Sequence, residues 1–196
     1  MRVSCLQENL SRGLATVGRA VATKTTLPIT NHVLMSTDES RLKLSATNLE
    51  IAISCWIGAQ VDEEGAIAVP AGLLTDFVVS LPSDTINMDV STETQIMEIT
   101  CATSEAHISG QKADEFPPIP QIGKGFSTKV NARALRTTIN QVIFAAAVDD
   151  SRPVLTGAYA QFSDKTLTLV AADGFRLAVN ELALDSAMKE DVGVII

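Results

Sequence analysis

The chain has 196 residues, 46% hydrophobic but only 4% aromatic, enough Leu, Ile, Val and Ala to bury a core, and its net charge is −8. No stretch approaches the roughly 20 apolar residues needed to cross a bilayer as a helix, and the opening Met-Arg-Val-Ser-Cys lacks the apolar run of a secretory signal, so a cytoplasmic protein is expected. Cys5, Cys55 and Cys101 are odd in number and have no CxxC spacing, which suits reduced thiols and argues against a disulfide framework.

Residue Met1 onward, the sequence predicts a short strand and then a helix over Gln7 to Ala22. At about 100° per residue, Leu6, Leu10, Leu14, Val17 and Val21 fall on one core-facing stripe, and Arg12 and Arg19 share the opposite face. Period-2 strands follow, clearest in Arg41-Leu-Lys-Leu-Ser-Ala, with candidates at His32 to Thr37, Glu50 to Ile57, Ala66 to Val69, Ile86 to Ser91, Gln95 to Cys101 and Ala106 to Ser109. Asp38-Glu-Ser and Asp62-Glu-Glu-Gly65 are expected as turns, and Ala71 to Leu81 as a second helix bounded by Pro70 and Pro82.

The stretch Phe116 to Gly125 holds three prolines and two glycines and predicts a stiff connector. Beyond it the chain repeats itself at a spacing of 125: Leu27 to Ile53 falls on Arg152 to Ala178 without a gap, with Pro28 on Pro153, Leu42 on Leu167, Leu44 on Leu169 and Asn48 on Asp173. The same offset carries Leu10, Leu14 and Val17 onto Leu135, Ile139 and Val142 in a second helix over Asn131 to Ala147, with Arg133 opposite the stripe and Arg136 flanking it. Each unit is therefore expected to open with a strand, and Ile196 to answer to Ala71. The expected domains are 1–116, a linker 117–125, and a partial second copy 126–196.

Charge is unevenly placed. The two repeat-related helical segments carry Arg12, Arg19, Arg133 and Arg136 against Glu8 alone, while the rest of the chain is strongly acidic. Catalytic hardware is missing: there is no GxGxxG or Walker A spacing, and His32 and His107 share no ligand spacing. Asp149-Asp150 and Asp114-Glu115 read as solvated turn acids; the alternative is a pair holding a divalent metal in an enzyme of nucleic-acid metabolism. Arg152-Pro-Val-Leu155 and Ala172-Asp-Gly-Phe-Arg-Leu177 place apolar and guanidinium groups side by side, as a plain hairpin turn or as a binding surface.

Several motifs in order resemble the bacterial DNA polymerase III beta subunit family, the sliding clamps. They are Leu27-Pro-Ile, Ala46-Thr-Asn-Leu-Glu50, Val69-Pro-Ala, Ala113-Asp-Glu-Phe-Pro117, Phe144-Ala-Ala-Ala, Arg152 to Gly157 and Ala172-Asp-Gly-Phe-Arg-Leu-Ala178, spread over the whole chain. The resemblance implies an α+β DNA clamp fold, repeated domains each with an antiparallel sheet outside and two helices on the inner face, the second copy truncated and a third domain absent. It implies a non-enzymatic processivity factor with no cofactor and no catalytic or metal residue, encircling double-stranded DNA as a head-to-tail homodimer that this chain alone does not close. Arg12, Arg19, Lys24, Arg133 and Arg136 become the candidate phosphate contacts. Arg152, Leu155, Gly174, Phe175, Arg176 and Leu177 match part of the pocket where the polymerase and clamp-loader subunits insert short linear peptides. Ala106 and Ile108 match the ring interface. A peptide-binding adaptor that never meets DNA is the remaining alternative.

Overall fold

The computed structural model describes residues 1–22, 27–119, 127–149 and 151–196. Two compact units divide it, Met1–Gln121 and Ile122–Ile196.

The first unit begins with β1 (Arg2–Leu6), α1 (Gln7–Val17), β2 (His32–Asp38), β3 (Arg41–Thr47), β4 (Ala52–Gly58), β5 (Gln60–Glu63) and β6 (Ala66–Pro70). It continues through α2 (Ala71–Ser80), β7 (Thr85–Val90), β8 (Ile96–Cys101) and β9 (Ser104–Ser109). The strands form two antiparallel sheets, ordered β5-β1-β7-β8-β9 and β4-β3-β2-β6. Period-2 alternation explains how both feed one core. Leu42 and Leu44 of β3, Val33 and Met35 of β2, and Ile86, Met88, Met97 and Ile99 of β7 and β8 all point inward to meet Leu10, Leu14 and Val17 of α1 and Leu74 and Val78 of α2.

α1 sits close to its sheet because Gly13 has no side chain: a Cβ there would stand 2.7 Å from a methyl of Leu44. Its N-terminus has no side-chain cap; the backbone N–H of Gln7 instead donates to the Asp84 carbonyl, and the Gln7 amide donates to the Val78 carbonyl on α2. Leu6 departs from the expected apolar stripe. It closes β1 and is 55% exposed. α1 also ends at Val17, and a 3-10 turn over Gly18–Ala20 carries Arg19, so Arg12 and Arg19 do not share one helical wheel. Asp62 and Glu63 lie in β5 and not in a turn, because pairing with β1 recruits them despite their low strand preference.

The second unit comprises α3 (Ala132–Val142), β10 (Tyr159–Ser163), β11 (Thr166–Ala172), β12 (Leu177–Ala183) and β13 (Val192–Ile195). Its one sheet, β12-β11-β10-β13, repeats the β4-β3-β2-β6 order of the first unit. Among the described residues of the second unit there is no counterpart of the five-stranded sheet or of α2, in keeping with the expected truncated second copy. Residues 127–130, the expected opening strand, are not strand, since the β7-like partner that would pair with them is not present among the described residues. The core is correspondingly thinner. Val142 is buried, but Leu135 and Ile139 are half-buried where Leu10 and Leu14 are fully buried.

Register refines the repeat. Met35 pairs with Leu44 and Ala160 with Leu169, both shifted by 125, but Met35 pairs with Ile67 while Ala160 pairs with Val194, a shift of 127 for the last strand. Ile196 therefore answers to Val69, not to Ala71; two extra residues lie between β12 and β13. Phe116, expected to open the connector, is buried on the outer face of the first unit's four-stranded sheet with Ile29 and Ala68. Of the expected linker, residues 120–125 lie outside the described residues.

Candidate nucleic-acid interface and peptide site

Arg12 projects from the solvent side of α1 beside a shallow depression of about 270 Å³ lined by Asn9, Thr16, Trp56 and Gly58. Arg19 stands exposed on the following 3-10 turn, and Arg133 and Arg136 are exposed on α3; Lys24 lies outside the described residues. Among the described residues, none of these four guanidinium groups takes part in an ion pair. The sheet cations are differently placed. Arg2 pairs with Asp89 at 2.8 Å, and Lys43 and Arg41 lie over the Trp56 ring, whose indole N–H donates to Asp38 at 2.7 Å.

The positions on α3 run against helix energetics. Asn131 caps the helix, its side-chain oxygen accepting from the N–H groups of Arg133 and Ala134 at 3.1 Å. Arg133 thus falls in the first turn, where the positive end of the helix dipole disfavours a cation, and Arg136 follows close behind. At the matching place α1 carries Glu8, the favourable charge.

The second constellation is built on the turn between β11 and β12. One Asp173 oxygen accepts from the N–H groups of Phe175 and Arg176 at 2.9 and 3.0 Å, and the other accepts from Arg176 Nε at 2.8 Å. Those backbone donors, then the Arg176 guanidinium, hold the carboxyl below the ordinary aspartate range. Arg152 reaches across and donates to the Asp173 carbonyl at 3.1 Å. Gly174 is required twice over. Its φ of +91° is left-handed, and a Cβ there would stand 3.0 Å from Arg152 Nη1. The turn therefore delivers Phe175 to solvent at 97% exposure and Leu177 at 67%, with the Arg176 guanidinium over the Phe144 ring at 5.9 Å. Leu155 is half-buried nearby in sequence, tied by its N–H to the Arg152 carbonyl at 2.9 Å.

The repeat contains the same turn in plainer form: Asn48 accepts from the N–H groups of Glu50 and Ile51, and Leu49 has φ +77°. Where the first unit has Leu27, Leu49 and Ile51, the second has Arg152, Gly174 and Arg176. Sequence reading missed Asp173 as the organiser and Phe144 as the platform, although the Asn48–Asp173 match carried the signal for the former. Asp149 is likewise a turn acid. It accepts from the Ser151 hydroxyl and from the Ser151 backbone N–H, the latter at 3.0 Å, and in that order these hold it below its usual range.

At the expected ring interface, Ile108 is 3% exposed within the first unit's core and Ala106 is half-buried, both on the inward side of β9. β9 is an edge strand, and among the described residues no strand pairs with its outer side.

The pattern of the DNA polymerase III beta subunit N-terminal domain matches residues 1–120, and that of its central domain residues 129–196. The chain belongs to the DNA polymerase III beta subunit family. It is 33% identical over 188 residues to the beta sliding clamp of Synechocystis sp., covering 92% of this chain and 48% of that one. It is 30% identical over 186 residues to the beta sliding clamp of Staphylococcus epidermidis, covering 91% and 49%. Its fold matches the crystal structure of the DNA polymerase III subunit beta from Pseudomonas aeruginosa with a TM-score of 0.90 at 30% identity, over 100% of this chain and 53% of that one. The sliding clamp from Bacillus subtilis shares the fold with a TM-score of 0.95 at 24% identity, over 100% and 53%. The chain thus spans about half the length of the family members it matches. No helix among the described residues is long and apolar enough to cross a membrane.

Proposed function

We propose that this chain is part of a sliding clamp that tethers the replicative polymerase to duplex DNA in the cytoplasm, acting as an accessory factor and not as an enzyme. The observation that carries this reading is the placement of Arg133 and Arg136 at the wrong end of α3 for helix stability, exposed and without ion-pair partners among the described residues. Cations kept where they weaken their own helix serve an external anion. Arg12 and Arg19 supply the same chemistry in the first unit, and a flexible guanidinium meeting phosphate oxygens fixes no base sequence.

The Asp173 turn is proposed as the recruitment site, its rigid frame presenting Phe175, Leu177 and Arg176 to partner peptides. The head-to-tail contact is proposed at the open edge of β9, carried by backbone pairing and by Ala106, since Ile108 is already spent on the unit's own core. The test is fluorescence anisotropy of a labelled duplex titrated with this chain at several salt concentrations. The expected affinity falls as salt rises, is equal for unrelated duplex sequences, and Arg133→Ala reduces the log–log slope by about 1. Binding that ignores salt, or discriminates between duplexes, overturns the proposal.

A further inference from the structure

The two arginine-bearing helices begin at equivalent places. α1 opens at Gln7 and α3 at Ala132, the same spacing that relates the two units, and each runs for 11 residues. Glu8 is therefore the counterpart of Arg133, Ser11 of Arg136, and Arg12 of Thr137. On α3 the cations stand at the second and fifth positions, and no acidic residue occurs between Ala132 and Val142. On α1 the second position is a carboxylate and the first cation waits until the sixth. The positive charge is displaced by about one turn between helices that otherwise match.

The core does not ask for this difference. Leu10, Leu14 and Val17 of α1 pack inward as Leu135, Ile139 and Val142 of α3 do, while Glu8 and Arg133 are both exposed. Glu8 also stands four residues before Arg12, the spacing and order that suit an ion pair along a helix, yet among the described residues the two make none. Arg12 lines the depression with Asn9 and Thr16 instead. Carboxylate and guanidinium are thus offered to solvent one turn apart, about 6 Å along the axis and inside the screening length of about 10 Å at 0.1 M salt. A negative charge at that distance lowers the attraction of any anion that approaches Arg12.

We propose that Glu8 limits how strongly the first unit holds duplex DNA. It keeps phosphate away from the start of α1, so that contact there falls to Arg12 and Arg19, whereas in the second unit the start of the helix carries the contact through Arg133 and Arg136. The two units grip unequally, and Glu8 sets the difference. This inference rests on the phosphate reading of the arginine faces. Glu8 also suits the positive end of its own helix, so a purely structural role has to be separated from it by measuring binding.

The experiment repeats the duplex titration at several salt concentrations with four variants of the whole chain: Glu8→Gln, Glu8→Arg, Glu98→Arg and Arg133→Ala. Glu8→Gln removes only the charge and is expected to tighten binding about two- to fivefold at low salt, the gain fading as salt rises. Glu8→Arg gives the first unit the residue that the second unit has at this place, and is expected to raise the log–log slope by about 1. Glu98 controls for net charge. It is exposed on the outer face of β8, between Met97 and Ile99 that turn into the core, and Glu98→Arg is expected to leave the slope as it is. Unchanged affinity in both Glu8 variants, with Arg133→Ala still lowering the slope, overturns the inference and leaves the phosphate reading standing. Equal gains from Glu8→Arg and Glu98→Arg overturn it as well, by assigning the effect to net charge. If Arg133→Ala leaves the slope unchanged, the phosphate reading falls and the role of Glu8 falls with it.

Discussion

Asp173 does for the β11–β12 turn what a capping residue does for a helix, gathering two backbone N–H groups and one guanidinium N–H on a single carboxylate. Its folded-state pKa lies below the unfolded one, so its contribution is fully present above the ordinary aspartate value of about 3.9 and is lost as pH falls through the lower folded value. The amide signals of Phe175 and Arg176, followed against pH, are expected to hold steady down to that value and to move together below it. A midpoint at or above the ordinary value would refute this account. Asp173→Ala is expected to free the turn without unfolding the sheet, read as faster amide exchange at Phe175 and Arg176. The pattern Asp-Gly announces a turn in the sequence; that Arg152 braces it from 21 positions away does not, because side-chain reach across a sheet end is a tertiary fact.

At the scale of the elements, α3 sets helix stability against anion binding. Arg133→Glu is expected to stabilise the second unit by about 0.3–1 kcal/mol through the helix dipole while weakening duplex binding, so denaturant midpoint and DNA affinity should move in opposite directions. A variant that loses both, or neither, removes the argument that Arg133 is held for phosphate. The helices also differ in how much they bury. Leu10→Ala should cost about 2–5 kcal/mol in its closed core, and Leu135→Ala nearer about 1–2 kcal/mol, since that side chain is half open already; equilibrium denaturation of each variant measures the contrast.

These elements were largely legible in the sequence. Leu42 and Leu44, Leu167 and Leu169, and the prolines around α2 all sit where period and punctuation place them. The failures are those that pairing decides. β5 forms from Asp62 and Glu63 because β1 is there to receive it, residues 127–130 are not strand among the described residues, and Phe116 folds back where composition indicates only a connector. For the candidate site, residue types were readable, but the dipole conflict at Arg133 needed the helix start fixed by Asn131.

For the molecule as a whole, two units of unequal cores predict unequal stability. The chain has one tryptophan and one tyrosine; Trp56 reports on the first unit and Tyr159 on the second. In denaturant titrations, with Trp56→Phe used to read the tyrosine cleanly, the Tyr159 transition is expected at lower concentration than the Trp56 transition. Coincident curves would mean that the units unfold as one.

The stretch joining β12 to β13 is already longer than its equivalent by two residues, while the Leu184 and Met188 N–H groups still reach the Lys165 and Asp164 carbonyls and the strands keep their pairing. Insertion length there is decoupled from strand alignment. Between Asp185 and Asp191 a dye-labelling handle or epitope can be spliced in, leaving the sheet's partners matched and giving a fluorescent marker that reports where the second unit goes.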